Sequence, residues 1–158
     1  MREILFRGKE KESGKWIYGD LRHISDGHGG YILCIVDNTS GRNNDVTGIE
    51  VSPNTVGQYT GMTDKNSTKI FERDIVRYGD TIHEVVFEQR NGTAYFGLVY
   101  SESETLPFGH YQDLRQIEVI GNIYDTPELL KGAMKPAATD VAQSGLAPAT
   151  ENFSLQEA

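Results

Sequence analysis

Hydrophobic and polar positions change places over short distances along most of the chain, and clusters of Gly, Asn, Asp and Ser separate the apolar runs. Residues 2–7 read as a strand, 8–14 as a charged loop, and 15–21 as a returning strand rich in aromatic and β-branched residues. Together they predict a hairpin. A glycine-rich turn at 26–30 joins 21–24 to the apolar run 31–36, and 46–51 supplies a further strand before a turn at 52–55. Residues 56–59 lead into a polar crossover, after which 74–78, 81–88 and 94–100 read as successive strands. Asn91-Gly92 between the last two is the strongest short hairpin signal in the chain. Residues 101–110 read as a polar loop, 111–114 as a helical turn or short extended piece, and 117–124 as the last strand. Thr126 as N-cap, Pro127 at the first helical position and Glu128 behind it predict a short helical turn that Gly132 ends.

Strands at this spacing predict a mostly-β fold. The expected core residues are Trp16, Tyr18, Phe71, Val76, Val86, Phe96, Val119 and Ile123. Two stretches stand apart. Residues 37–45 contain no apolar side chain and form an exposed loop, a first place to look for partner contacts. Residues 133–158 are dominated by Ala, Pro, Ser, Thr and Gln, and so predict a disordered tail. The single cysteine, Cys34, excludes an intrachain disulfide and reads as a buried hydrophobe. No run approaches the ~18 apolar residues of a membrane span, and the N-terminus lacks the apolar core of a secretory signal. A cytoplasmic protein is expected. The net charge of −8 disfavours unspecific binding to phosphate backbones, although Lys9, Lys11 and Lys15 make a local basic spot.

The most informative stretch is 60–78, T-G-M-T-D-K-N-S-T-K-I-F-E-R-D-I-V-R-Y. Asp64, Asn66 and Ser67 predict a tight turn, because short polar side chains bond their own backbone and tolerate left-handed dihedrals. Ile70 and Phe71 return to the core, Glu72-Arg73-Asp74 forms a corner, and Ile75-Val76 starts a strand. This stretch resembles the signature of the YopX family of phage and prophage proteins, roughly T-G-L-x-D-K-x-G-x-x-I-Y-E-G-D-I-V. Thr60, Gly61, Asp64, Lys65, Ile70, Glu72, Asp74, Ile75 and Val76 match it. Met62, Ser67, Phe71 and Arg73 stand where the family has Leu, Gly, Tyr and Gly. Glycine at such places suggests φ > 0, which Ser and Arg tolerate poorly, so the corner is open to reshaping here. The resemblance implies a phage or prophage origin and a small SH3-like barrel over about 74–123. Residues 1–60 would add an N-terminal β layer. One β domain is expected over 1–131, with possible sub-units 1–60 and 61–131, and beyond the resemblance the composition predicts a flexible tail at 132–158. The family has no assigned biochemical function.

A G-x-S-x-G nucleophile elbow does not occur, and His83-Glu84 lacks the second His of H-E-x-x-H. The glycines at 26–30 precede a strand, whereas a phosphate cradle needs a helix N-terminus. Glu72 and Asp74 could pair as carboxylates for hydrolysis or metal binding, but the plainer reading is that they bond backbone amides at the corner. No enzyme, cofactor or metal is therefore expected. Thr60, Gly61, Asp64, Lys65, Lys69, Glu72 and Asp74 are the candidate interaction residues. The leading expectation is a non-catalytic binding or assembly module whose partner is itself, as a homo-oligomer, or a phage or host protein. A nucleic-acid-binding module comes second, on fold analogy and against the charge. A carboxylate-based hydrolase comes third.

Overall fold

The computed structural model describes residues 1–37, 48–90, 92–109 and 113–133. Most of the loop at 37–45, Asn91 of the hairpin turn and nearly all of the expected tail lie outside them. The structure is mostly β, in two antiparallel sheets. The first is built from β1 (Phe6–Lys9), β2 (Trp16–Ser25), β3 (Tyr31–Val36), β4 (Ile49–Glu50), β5 (Gly57–Thr63) and β6 (Lys69–Phe71), in the order β4-β3-β2-β1-β5-β6. This is the N-terminal layer. The second contains β7 (Asp74–Tyr78), β8 (Thr81–Arg90), β9 (Thr93–Ser101), β10 (Glu104–Pro107) and β11 (Glu118–Asn122), in the order β10-β9-β8-β7-β11. It covers the region where a small barrel is expected, but its ladder ends at β10 and β11 without closing. One helix, α1 (Glu128–Ala133), follows. No helix among the described residues is long and apolar enough to cross a membrane.

The hairpins follow from local sequence. β1 and β2 pair with Phe6 opposite Gly19, β2 and β3 with Leu21 opposite Ile35, and β8 and β9 with Phe87 opposite Phe96. Within the stretch expected to be a loop, residues 104–107 form a strand. β10 runs antiparallel to β9 there, with Leu106 opposite Leu98. The approach depends on Gly97, where a Cβ would lie 2.4 Å from the Leu106 carbonyl oxygen. Only glycine lets the two backbones come that close.

Ile70, Val76, Val85, Leu98 and Ile117 form one buried cluster, with Met62, Tyr78, Phe108 and Val119 packed against it. Ile70 belongs to β6 of the first sheet, yet its cluster partners come from the second sheet and its flank. The short β6 therefore pins the two layers together. Of the expected core residues, Phe71 and Val76 are buried, while Trp16, Val86, Phe96, Val119 and Ile123 are half-buried. Tyr18 is 45% exposed. On β8 the inward residue is Val85 rather than Val86, since alternation runs through His83 and Val85. At the C-terminal end the Thr126 hydroxyl accepts the Asn122 amide at 3.2 Å, and its carbonyl takes the Leu129 amide at 3.1 Å.

Candidate functional site

The polar crossover makes two corners, each organised by a buried aspartate. At the first, Asp64 Oδ1 accepts the amides of Asn66 and Thr68, each at 2.8 Å. Asp64 Oδ2 reaches across to the Val119 amide on β11 at 3.0 Å, and the Lys65 amide donates to the Ile117 carbonyl at 2.8 Å. The turn is thus sewn to the edge of the second sheet. Burial pushes the Asp64 carboxyl up, but the amides of Val119, Thr68 and Asn66 outweigh it and hold it below its ordinary value. Thr60 is also buried and donates its hydroxyl to the Ile70 carbonyl at 2.9 Å.

At the second corner, Asp74 Oδ2 accepts the Phe71 amide at 2.8 Å and Oδ1 meets Arg7 Nη2 at 2.6 Å. Both side chains are nearly sealed from water, 7% exposed for Arg7 and 2% for Asp74. The same Arg7 nitrogen donates to the Glu72 carbonyl at 3.1 Å. The guanidinium lies 4.7 Å from the Trp16 ring centroid and 4.9 Å from that of Phe71, within reach of a cation–π attraction. Burial raises the Asp74 carboxyl above its ordinary value, and the nearby Arg7 charge only partly offsets it. Glu72 turns its carboxylate back to the Gln58 amide at 3.4 Å.

The backbone at both corners is left-handed. Ser67 has φ 65° and Arg73 φ 69°, the two non-glycine residues with positive φ among those described. Both positions thus keep the positive φ that glycine there would suggest, and Ser67 and Arg73 accept a conformation that costs a side chain about 1–2 kcal/mol. Arg73 recovers part of this through a 2.7 Å ion pair with Glu84. Gly61 adopts φ 86°, where glycine carries no such cost.

The candidate lysines do not converge. Lys65 pairs with Glu118 at 2.9 Å and Lys69 with Glu3 at 2.6 Å, and Lys69 Nζ also lies 5.3 Å from the Tyr59 ring. Of the expected basic spot, Lys9 pairs with Asp125 and Lys11 with Glu50. Asp125 also accepts the Trp16 indole at 2.7 Å, and its bonds from Lys9, Asn122 and Trp16 lower its pKa to about 2. His83 and Glu84 turn to different neighbours: the His83 ring lies tilted against Tyr100 with ring centroids 4.2 Å apart, and Glu84 holds Arg73. No group of three metal-ligating side chains occurs among the described residues.

Between the sheets, beside the second corner, lies a cleft of about 460 Å³. Leu5, Tyr18, Phe71 and Val119 give it apolar walls, and Arg7, Lys69, Asp74 and Asn122 its polar positions. It brings together two of the sequence-predicted residues, Lys69 and Asp74, and leaves Asp64 and Lys65 outside its lining. Arg7 was missed by sequence reasoning. An arginine at the start of a strand carries no signal of a partner so far along the chain; a buried aspartate in want of a cation was the nearest clue.

These features define a two-sheet β protein whose layers are joined by the buried polar groups of one crossover. The chain belongs to the YopX protein family, whose model matches residues 5–131. No curated protein matches it. The crystal structure of protein EF1440 from Enterococcus faecalis is similar, at 22% identity and a TM-score of 0.49, over 82% of this chain and 99% of that one.

Proposed function

We propose that the protein is a non-catalytic binding or assembly module of phage or prophage origin that acts in the bacterial cytoplasm. The engagement of the Asp74 carboxylate carries this reading. Both of its oxygens are held, by Arg7 and by the Phe71 amide. An acid so occupied is a joint between sheets and a poor proton donor or metal ligand. Lys65, Lys69, Lys9 and Lys11 each face a carboxylate, which weighs against a phosphate-binding surface.

A second copy of the chain is the first candidate partner. Sheet edges invite further strands unless they are blunted. Asp74 occupies the Phe71 amide on the terminal strand β6, and Asp64 the Val119 amide on the terminal strand β11. The other terminal strands, β4 and β10, are where a second copy would pair. Size-exclusion chromatography with light scattering and absorbance at 260 and 280 nm tests the reading. A particle of several subunits with a protein-like ratio is expected. A monomer carrying excess absorbance at 260 nm would overturn it in favour of nucleic-acid binding.

A further inference from the structure

We infer that the cleft between the two sheets binds an apolar group carrying a single carboxylate. This deepens the binding reading above, on which it rests, by naming what the cleft accepts. Its volume of about 460 Å³ lies in the range of small-ligand sites, roughly 300–1,000 Å³. The walls of Leu5, Tyr18, Phe71 and Val119 suit an aromatic or aliphatic body, and Tyr18 stands edge-on to Phe71 with ring centroids 5.6 Å apart.

The oxygens of Asp74 and Asn122 in the lining are each already engaged, while one buried donor is not. Asp74 has one oxygen on Arg7 and the other on the Phe71 amide. Asn122 Oδ1 already accepts the amides of Tyr124 and Asp125, each at 3.0 Å. Arg7, by contrast, has a buried Nε–H without an acceptor, an unfavourable state that an entering oxygen would relieve. Lys69 holds Glu3 in a pair that is 40% and 52% exposed. Exposed pairs contribute little, so Lys69 can exchange Glu3 for an incoming carboxylate. Asp74 answers Arg7, so once Glu3 is displaced the single charge of Lys69 is the one left for an incoming carboxylate to match.

The carboxylate could come from a free small acid or from the C-terminus of a partner chain that ends in an apolar residue. Titration of the full chain, followed by amide and arginine side-chain NMR, separates these sources. The probes are phenylacetate, a tripeptide acid ending in phenylalanine, and the neutral amides of both. Saturable shifts of the Val119 and Gly121 amides and of the Arg7 Nε–H are expected with an acid and absent with its amide. Tighter binding of phenylacetate would assign the free acid, and tighter binding of the tripeptide the chain terminus. Lys69→Met should weaken the better probe about tenfold, the scale of one charge-assisted hydrogen bond, and Glu3→Gln should strengthen it. Equal binding of acid and amide, no saturable shift with either acid, or an unchanged affinity in Lys69→Met would overturn the inference. Light scattering on the same samples keeps the two readings apart. An oligomer that binds neither acid overturns the carboxylate site alone, and a monomer that binds one upholds the site and overturns self-assembly.

Discussion

Asp64 and Asp74 sit ten positions apart in one crossover, are both buried, and solve the burial of a carboxylate in opposite ways. Asp64 is held by amide dipoles from its own turn and from β11, with no cation among its hydrogen-bond partners in the described residues. Asp74 is held by one amide and a buried guanidinium whose acceptors come from the second corner. Amides are already fixed by the fold, so the first arrangement stabilises the ionised form with little reorganisation. The second removes two full charges from water, and their attraction must offset that loss. One corner binds a turn to a sheet edge, and the other clamps the two layers together. The same residue type, in one motif, thus supports two joints of different physical character.

The largest expected effect comes from breaking the clamp on one side. Arg7→Met leaves Asp74 buried without its cation and should cost about 3–5 kcal/mol in a urea titration. The double variant Arg7→Met/Asp74→Leu should recover most of that loss, since a packed apolar pair replaces a desolvated ionic one. If the double variant were as unstable as the single, the pair would be contributing more than mutual neutralisation. Asp64→Ala is expected to be milder, at about 2–3 kcal/mol, because it orphans three amides without stranding a charge. A greater loss in Asp64→Ala than in Arg7→Met would reverse the comparison.

How much of this was legible in the sequence divides along the same line. The hairpins β1–β2, β2–β3 and β8–β9 were readable because alternation and turn residues are local properties. The turn at Asp64 was readable for the same reason, since its Asn66 and Thr68 bonds span two and four residues. The Val119 contact was not, nor was the Arg7 clamp, because both depend on how distant strands are brought together. β10 escaped notice for a related reason. Its Leu106 is isolated in a polar run and gains its strand character from pairing with Leu98. Val85 and Val86 are chemically alike, so only the packed structure chooses which one faces inward.

Titration sharpens the contrast without any substitution. Asp64 has a folded pKa below its ordinary value of 3.8, so its stabilisation is present above that pH and is lost as the pH falls through the folded value. Asp74 has a folded pKa above 3.8, so its linkage runs the other way, and stability declines as the pH rises from 3.8 through the folded value. Carboxyl-carbon NMR should therefore find Asp64 still ionised below pH 3.8 and Asp74 still protonated above it. Titration of both on the same side of 3.8 would show that the two environments are not opposed.

The smallest effects concern the backbone, and here the two corners become alike. Ser67 and Arg73 hold φ of 65° and 69°, a region that glycine enters without a Cβ clash. Ser67→Gly should stabilise the protein by about 1 kcal/mol or less, because relief of strain is opposed by the greater freedom of glycine in the unfolded chain. Arg73→Gly gains the same relief but loses the pair with Glu84, in which Arg73 is 42% and Glu84 20% exposed. A pair this open is worth about 0.2–1 kcal/mol, so the net change should lie near zero. Thermal melts of Ser67→Gly, Arg73→Gly and Glu84→Gln would separate the two contributions. Glu84→Gln removes the ion pair and leaves the strain, so it should be the least stable of the three. If Arg73→Gly instead fell well below Glu84→Gln, the arginine would be holding the second corner through its packing as well as its charge.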